Sequence, residues 1–416
     1  MGFELSSMSP YDNLIFSLLG GNMMAERVTI LLLFVCCSSK LYIGIGAYEL
    51  SKEEDLELEE QLKLLNKPAI TTIETIYGEK YDCVDFYKQP AFDHPALKNH
   101  NFHPEMIPNS YPEGRMYKNS STNNRSKSLW VNGEGCPVGT VPIKKTTKED
   151  LINAKLASKI YDKQYNPLTQ QEPGTHYAIL HTNYGTGRKF NGGGMETATY
   201  NPRPVTGSQY SSSQVKIVNG RDSIEVGWTV NPTLYKDDRV RLFIYTNAGA
   251  SRCFNTHCPG FIIVRTDVPI DQILDPISQR GKKLYGQTLL IYRDSPSGNW
   301  WLELDRAQTK VGFWPKSIFT GLTDLATYIE WGGKVYGPHL APSPPMGTGF
   351  KLEVNLFWDA FCRLIVTVNE TYQIIDATET STYADIEQYQ AIDMGFYNPT
   401  YRHLMLYGGP GGYIGK

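Results

Sequence analysis

An all-β core folded as an antiparallel β-sandwich, preceded by a smaller mixed α/β segment, is the architecture this sequence predicts, and three observations predict it. From His176 onward, short apolar or alternating runs recur between Gly, Pro, Asn and Asp turns, which is the spacing of hairpin-built sheets packed face to face. The composition agrees, since 27 Tyr, 37 Gly and 25 Pro favour pleated strands and tight turns over helices. Helical patterns, finally, occur only upstream of the strand-rich half.

Taken in order, Arg27, the apolar run Val28 to Val35 and the small residues Gly44, Gly46 and Ala47 have the charge, apolar and small-residue order of a secretory signal. The run is too short to span a bilayer; a signal anchor is the alternative, and Met23 or Met24 is the more natural start. Glu49 to Lys67 carries leucines at 50, 56, 58, 62, 64 and 65, a partial helical stripe that ends before Pro68. Asn109 to Ser128 lacks periodicity and reads as an exposed loop with the glycan acceptors Asn119 and Asn124. Thr147 to Ala157 is a short helix, and the polar stretch from Tyr161 to Gly174 is a linker open to proteolysis. Strands are then expected over Tyr177 to Thr182, Gln214 to Val218, Ser223 to Val230, Arg239 to Thr246, Gly260 to Arg265, Thr288 to Tyr292, Trp300 to Leu304 and Leu364 to Val368. The expected organisation is 1–47 as extension and signal, 48–160 as the mixed segment, 161–174 as linker and 175–416 as the sandwich.

With 416 residues at 41% hydrophobic content, the chain is long enough to bury a large core. A net charge of -3 and a pI near 6.3 supply no overall field for nucleic acid or an anionic membrane, and no stable membrane insertion is expected. An export route permits disulfides. Cys253 and Cys258 can staple a local loop; a metal reading would need more close ligands than His257, so no metal and no cofactor is predicted. Cys83 and Cys136 can close the N-terminal part, and the sequence offers no obvious partner for Cys362. Asn369 in Asn369-Glu-Thr is a third acceptor for a surface glycan.

The order Asp82-Cys-Val-Asp, Gly135-Cys-Pro-Val-Gly-Thr-Val-Pro, Gly227-Trp-Thr-Val-Asn-Pro-Thr-Leu-Tyr, Cys253-Phe-Asn-Thr-His-Cys-Pro-Gly-Phe, Val311-Gly-Phe-Trp-Pro, Trp331-Gly-Gly and Tyr407-Gly-Gly-Pro-Gly-Gly resembles the neprosin family of secreted plant proteins. That resemblance implies a peptidase-like β-sandwich behind a propeptide domain, a secreted product of the cell wall or apoplast, with the vacuole as the other destination. It also implies a proline-directed glutamic peptidase using one glutamate in Ser223-Ile-Glu-Val-Gly-Trp-Thr-Val and one in Glu330-Trp-Gly-Gly-Lys-Val. Glu225 supplies the first, and Lys334 stands where the second is expected. The second core disulfide usual in the family is also missing, with Thr382 before Tyr383 and no cysteine in the C-terminal tail.

Period-two alternation puts Glu225, Gly227 and Thr229 on one face of their strand and Ile224, Val226, Trp228 and Val230 on the other. Hydrolysis by a carboxyl pair needs one ionised group to activate water and one protonated group to assist the leaving amine. A lysine beside Glu225 favours the ionised form and leaves no acid, so peptidase activity is expected to be impaired. Glu330 is ~13 Å from position 334 along an extended strand, too far to replace the missing acid. No Gly-X-Ser-X-Gly elbow supports a serine mechanism. Trp331, Tyr336 and Trp228 are the expected flat surfaces for a proline-rich peptide partner. A working acid endopeptidase and a purely structural secreted protein are the alternatives.

Overall fold

The computed structural model describes residues 51–114, 116, 129–161, 174–249, 251–305 and 308–413. The expected signal, Asn119, Asn124 and most of the expected linker lie outside these residues. By internal contacts the chain divides into Met1–Glu57 and one compact unit from Leu58 to Lys416, so the mixed segment and the sandwich belong to the same unit.

Helix α1 covers Lys52–Leu65. It stops where Pro68 approaches, since the residues before a proline are steered out of helical geometry. The mixed segment continues with β1 (Ala69–Glu74), β2 (Lys80–Asp85) and β3 (Thr140–Lys144), an antiparallel sheet in that order. The Cys83–Cys136 disulfide ties β2 to the chain leading into β3. Helix α2, Lys148–Tyr161, runs four residues beyond the predicted end. Its N-terminus is fixed by Thr147 and Asp150, whose side chains and backbone N–H groups bond reciprocally, a capping-box arrangement.

The sandwich consists of two antiparallel sheets. The first has seven strands: β4 (Thr175–Thr182), β6 (Tyr210–Asn219), β7 (Asp222–Val230), β8 (Arg241–Ala248), β9 (Ser251–Phe254), β14 (Tyr328–Tyr336) and β17 (Thr380–Ala384). Their order is β17-β4-β14-β6-β7-β8-β9. The second has nine strands: β5 (Gly192–Ala198), β10 (Ile262–Ile263), β11 (Gly286–Arg293), β12 (Trp300–Leu304), β13 (Thr309–Trp314), β15 (Ala360–Val368), β16 (Ile374–Asp376), β18 (Gln390–Asn398) and β19 (Arg402–Gly408). The core fills with alternate residues from both sheets, among them Val215, Ile217, Val226, Ile244, Ile329 and Trp331 from the first and Met195, Leu290, Trp301, Phe313, Val366 and Met405 from the second. Burying that apolar area is the main drive of the fold, at roughly 25 cal/mol per Å².

Cys253 and Cys258 form the predicted local disulfide just after β9 begins. Cys362 is a free, fully buried thiol, and burial pushes its pKa up to about 12; it behaves as a small core residue. No helix among the described residues is long and apolar enough to cross a membrane.

Candidate active site

Strand β6 lies between β14 and β7, and its register decides which side chains meet. Lys216 of β6 stands opposite Glu225 of β7 on one side and Glu330 of β14 on the other. Directly paired residues share a face, so Glu330, Lys216, Glu225 and then Tyr245 form one row on the outer face, away from the core. Two residues along, Gly332, Gln214 and Gly227 make the next row; two further, Lys334, Ser212 and Thr229 make the third. Glu225 and Lys334 therefore share a face, as the sequence predicts, but on a diagonal across β6. The middle row is kept low by glycine: at Gly227 a Cβ would collide with the Ser213 carbonyl oxygen, and Gly332 has a φ of +131°, a conformation that favours glycine.

The partner that closes the site comes from helix α2, upstream of the sandwich. Tyr161, the last residue of α2, donates its hydroxyl to Glu225 Oε2 at 2.7 Å. Its ring receives Lys334, whose Nζ lies 3.5 Å from the ring centroid, a cation–π contact. The same ring packs at 5.1 Å from Tyr210, 4.6 Å from Tyr245 and 4.8 Å from Phe254. With Ala154, Ala157, Leu234 and Phe243 these rings form a second apolar cluster, so the inner side of α2 lies on the outer face of the sheet. The buried side of α2 is the i, i+3, i+7 stripe Ala154, Ala157 and Tyr161.

A second lysine, which the sequence reading did not single out, pairs with Glu225. Lys216 Nζ is 3.3 Å from Glu225 Oε1, and the charge of Lys334, which lies over the Tyr161 ring, also favours the ionised carboxylate. Burial of Glu225 raises its pKa, but Lys216, then Lys334, then the Tyr161 hydroxyl outweigh it, and the carboxyl sits below its ordinary value. Lys216 moves the opposite way: burial lowers it, the charges of Glu225 and Glu330 raise it, and the net direction is up. Tyr161 is raised by burial and by the Glu225 charge, which keeps its proton on the phenol as hydrogen-bond donor. The constellation is thus a carboxylate held ionised, two cations and a neutral phenol.

Glu330 is held by the residue two places before it on its own strand. Tyr328 donates to Glu330 Oε2 at 2.7 Å, and Oε1 is buried without a hydrogen-bond partner. It lies two strand spacings from Glu225, ~10 Å between backbones, with Lys216 in between.

The family model described as Neprosin matches residues 207–410, and the one described as Neprosin activation peptide matches residues 72–184. The chain belongs to the neprosin family. In this neprosin-family chain the activation-peptide match carries Tyr161 and the Neprosin match carries Lys216, Glu225 and Lys334, so the site joins the two parts. Among solved structures, the chain is similar to scytalido-glutamic peptidase with a transition state analog inhibitor, at 8% identity over 58% of this chain and 98% of that one, with a TM-score of 0.30. It is likewise similar to SCP-B, a member of the Eqolisin family of peptidases in complex with the tripeptide Ala-Ile-His, at 7% identity, the same two coverages and a TM-score of 0.29. Likeness at that level carries no argument about chemistry.

Two of the three aromatic residues expected to receive a peptide face the wrong way. Trp331 and Trp228 are fully buried on the core side of the sheet, and the Trp228 indole donates to the Ala198 carbonyl at 3.1 Å. The alternation that turns Glu225 and Lys334 outward turns their odd-numbered or even-numbered neighbours inward. Tyr336, the third, stands on the outer face in the Lys334 strand and stacks on Tyr210 at 5.9 Å between ring centroids. Asn369 occupies the turn after β15, where the Thr371 hydroxyl donates to its Oδ1 at 2.9 Å.

Sequence reasoning missed Lys216 and Tyr161. Lys216 is a lone charge between Val215 and Ile217 and reads as an ordinary exposed strand residue until β6 is known to run between β7 and β14. Tyr161 was assigned to the linker; extending the Ala154, Ala157 spacing by one turn would have placed it on the packed side of α2.

Proposed function

We propose that this chain is a secreted neprosin-family protein that keeps a binding face for an extended, proline-rich peptide and has lost most or all hydrolytic power. The observation that carries this reading is the surroundings of Glu225: Lys216 at 3.3 Å and the Tyr161 hydroxyl at 2.7 Å, with Lys334 at the position where the resemblance puts a second glutamate. A carboxylate neutralised by lysines is a poor base, and neither lysine nor the high-pKa phenol is a ready proton donor in acid-optimum peptide hydrolysis. Glu330 does not supply the missing acid, because Lys216 separates it from Glu225. Loss of a positioned general acid commonly costs 10²- to 10⁴-fold.

The binding half of the reading is supported by the aromatic floor around the site. Tyr210, Tyr245, Phe254, Phe243 and Tyr336 now pack on Tyr161 and α2; with α2 displaced they offer flat surfaces to proline rings, whose chain loses little freedom on docking. A surface glycan on Asn369 belongs to the same secreted assignment.

The test is turnover of a proline-containing fluorogenic peptide by the purified protein after acid treatment. No turnover with measurable peptide binding is expected, and Lys334→Glu is expected to raise cleavage above that baseline by up to about 10²-fold. Turnover by the unaltered chain that Glu225→Gln abolishes would overturn the reading. Absence of peptide affinity would leave a structural protein.

A further inference from the structure

Away from this site, the loop between β14 and β15 presents Phe350, Val354, Phe357 and Trp358 to solvent, 52, 55, 62 and 40% exposed. Four large apolar side chains within the 350–358 part of this loop form a patch of the kind that marks an interaction surface. The loop is held firmly. The buried Asp359 carboxylate accepts the backbone N–H groups of Glu353 at 3.1 Å and Asn355 at 2.9 Å, and the Trp358 N–H donates to the Asn355 carbonyl at 2.9 Å. A second loop braces it: Arg280 Nε donates to the Trp358 carbonyl at 3.0 Å and the Gly281 N–H to the Phe357 carbonyl at 2.6 Å. The Arg280 guanidinium lies 4.2 Å from the Phe350 ring centroid and 5.0 Å from that of Trp358. Gly281, at φ +70°, leaves room for the indole, which a Cβ there would strike.

The charges on these two loops are one-sided. Arg280 and Glu353 pair and cancel, and the Asp359 charge is buried beneath the loop. Lys282, Lys283 and Lys351 remain, all exposed, with no acid in salt-bridge distance among the described residues; Lys283 lies over the Tyr285 ring at 4.9 Å. A net charge of -3 for the whole chain averages over this local excess of cations.

We propose that the double loop is a docking surface for an anionic lipid bilayer. Rigid Phe, Val and Trp side chains suit the boundary between headgroups and acyl chains, and exposed lysines on the same two loops suit anionic headgroups. Val354 and Phe357 carry no hydrogen-bonding group to match sugar hydroxyls, which disfavours a polysaccharide. The contact is peripheral and leaves the fold outside the hydrocarbon.

The test uses a property of this chain: of its seven tryptophans, Trp130, Trp228, Trp300, Trp301, Trp314 and Trp331 are buried and Trp358 is exposed. Intrinsic fluorescence therefore reports on this patch. With vesicles of equal parts phosphatidylcholine and phosphatidylserine, the full chain is expected to pellet, to shift its emission to the blue and to be quenched by brominated acyl chains. Pure phosphatidylcholine is expected to bind several-fold more weakly. Lys282→Glu with Lys351→Glu is expected to weaken binding more than tenfold, at roughly fivefold for each lysine lost. Phe357→Ser and Val354→Asn remove the apolar tip, and Asn tolerates the positive φ of 59° at that position, so the fold is kept. No pelleting, pelleting indifferent to these variants, unmoved Trp358 emission, or binding to soluble polygalacturonate in place of vesicles would each overturn the proposal.

Discussion

The two faces of the seven-stranded sheet are built from alternate residues of the same strands, yet one is a sealed apolar layer and the other a buried charge cluster. On the inner face Val226, Trp331 and Ile244 meet the second sheet in the core. On the outer face, one residue away, Glu225 meets Lys216 and the Tyr161 hydroxyl, and Lys334 meets the Tyr161 ring. Glu225 and Lys334 are nearly as fully excluded from solvent as the inner residues, and the Lys216 side chain is 16% exposed. What differs is the reason they are stable: the inner face gains from burial alone, whereas the outer face endures burial because each charge has a partner. Buried ion pairs of that kind add little net stability, and breaking them is costly.

Substitutions on the two faces should therefore fail differently. The largest effect is expected from Trp331→Ala on the inner face, about 3–5 kcal/mol of stability lost in denaturant unfolding; a loss below about 1 kcal/mol would show that the core tolerates the cavity. On the outer face, Glu225→Ala strands Lys216 and Lys334 and should cost about 3 kcal/mol, while Glu225→Asp, which keeps the charge, should cost less. An equal loss for Glu225→Asp would mean that side-chain length, and not charge, sets the cost. Tyr161→Phe removes one hydrogen bond to a charged group and keeps the ring over which Lys334 sits, so about 1.5 kcal/mol is expected. Limited proteolysis would check it, with α2 released more readily than in the unaltered chain.

The smallest and sharpest test is pH. Because the Glu225 carboxyl lies below its ordinary value of 4.5, its ionised form contributes stability that is fully present above that pH and is lost only as pH falls through the lower folded-state value. The stability gap between the unaltered chain and Glu225→Gln should be flat down to about pH 4.5 and narrow below it. A gap that closes between pH 6 and 5 would show that the lysines do not hold Glu225 ionised.

Much of the architecture was legible in the sequence. The strand runs from His176 onward, the outward direction of Glu225, the Cys253–Cys258 staple and the helix ahead of Pro68 follow from local alternation, spacing and backbone sterics. The site was legible only as two halves. Glu225 and Lys334 were identified, and Trp331 and Trp228 were expected beside them, although period-two alternation already set Trp228 opposite Glu225 and places Trp331 opposite Lys334. Tyr336, even-numbered like Lys334 on the same strand, lies on the outer face.

By itself the sequence determined that a glutamate and a lysine occupy the two positions where the family resemblance expects a carboxyl pair, because residue type and strand alternation are local properties. Only the tertiary structure decided which cation neutralises that glutamate and what covers it. Lys216 reaches Glu225 because β6 pairs with both β7 and β14, and Tyr161 reaches both Glu225 and Lys334 because α2 lies across their sheet. Both contacts join residues far apart in the chain, and strand order and helix docking are set by burial of whole faces, which no short stretch of residues encodes.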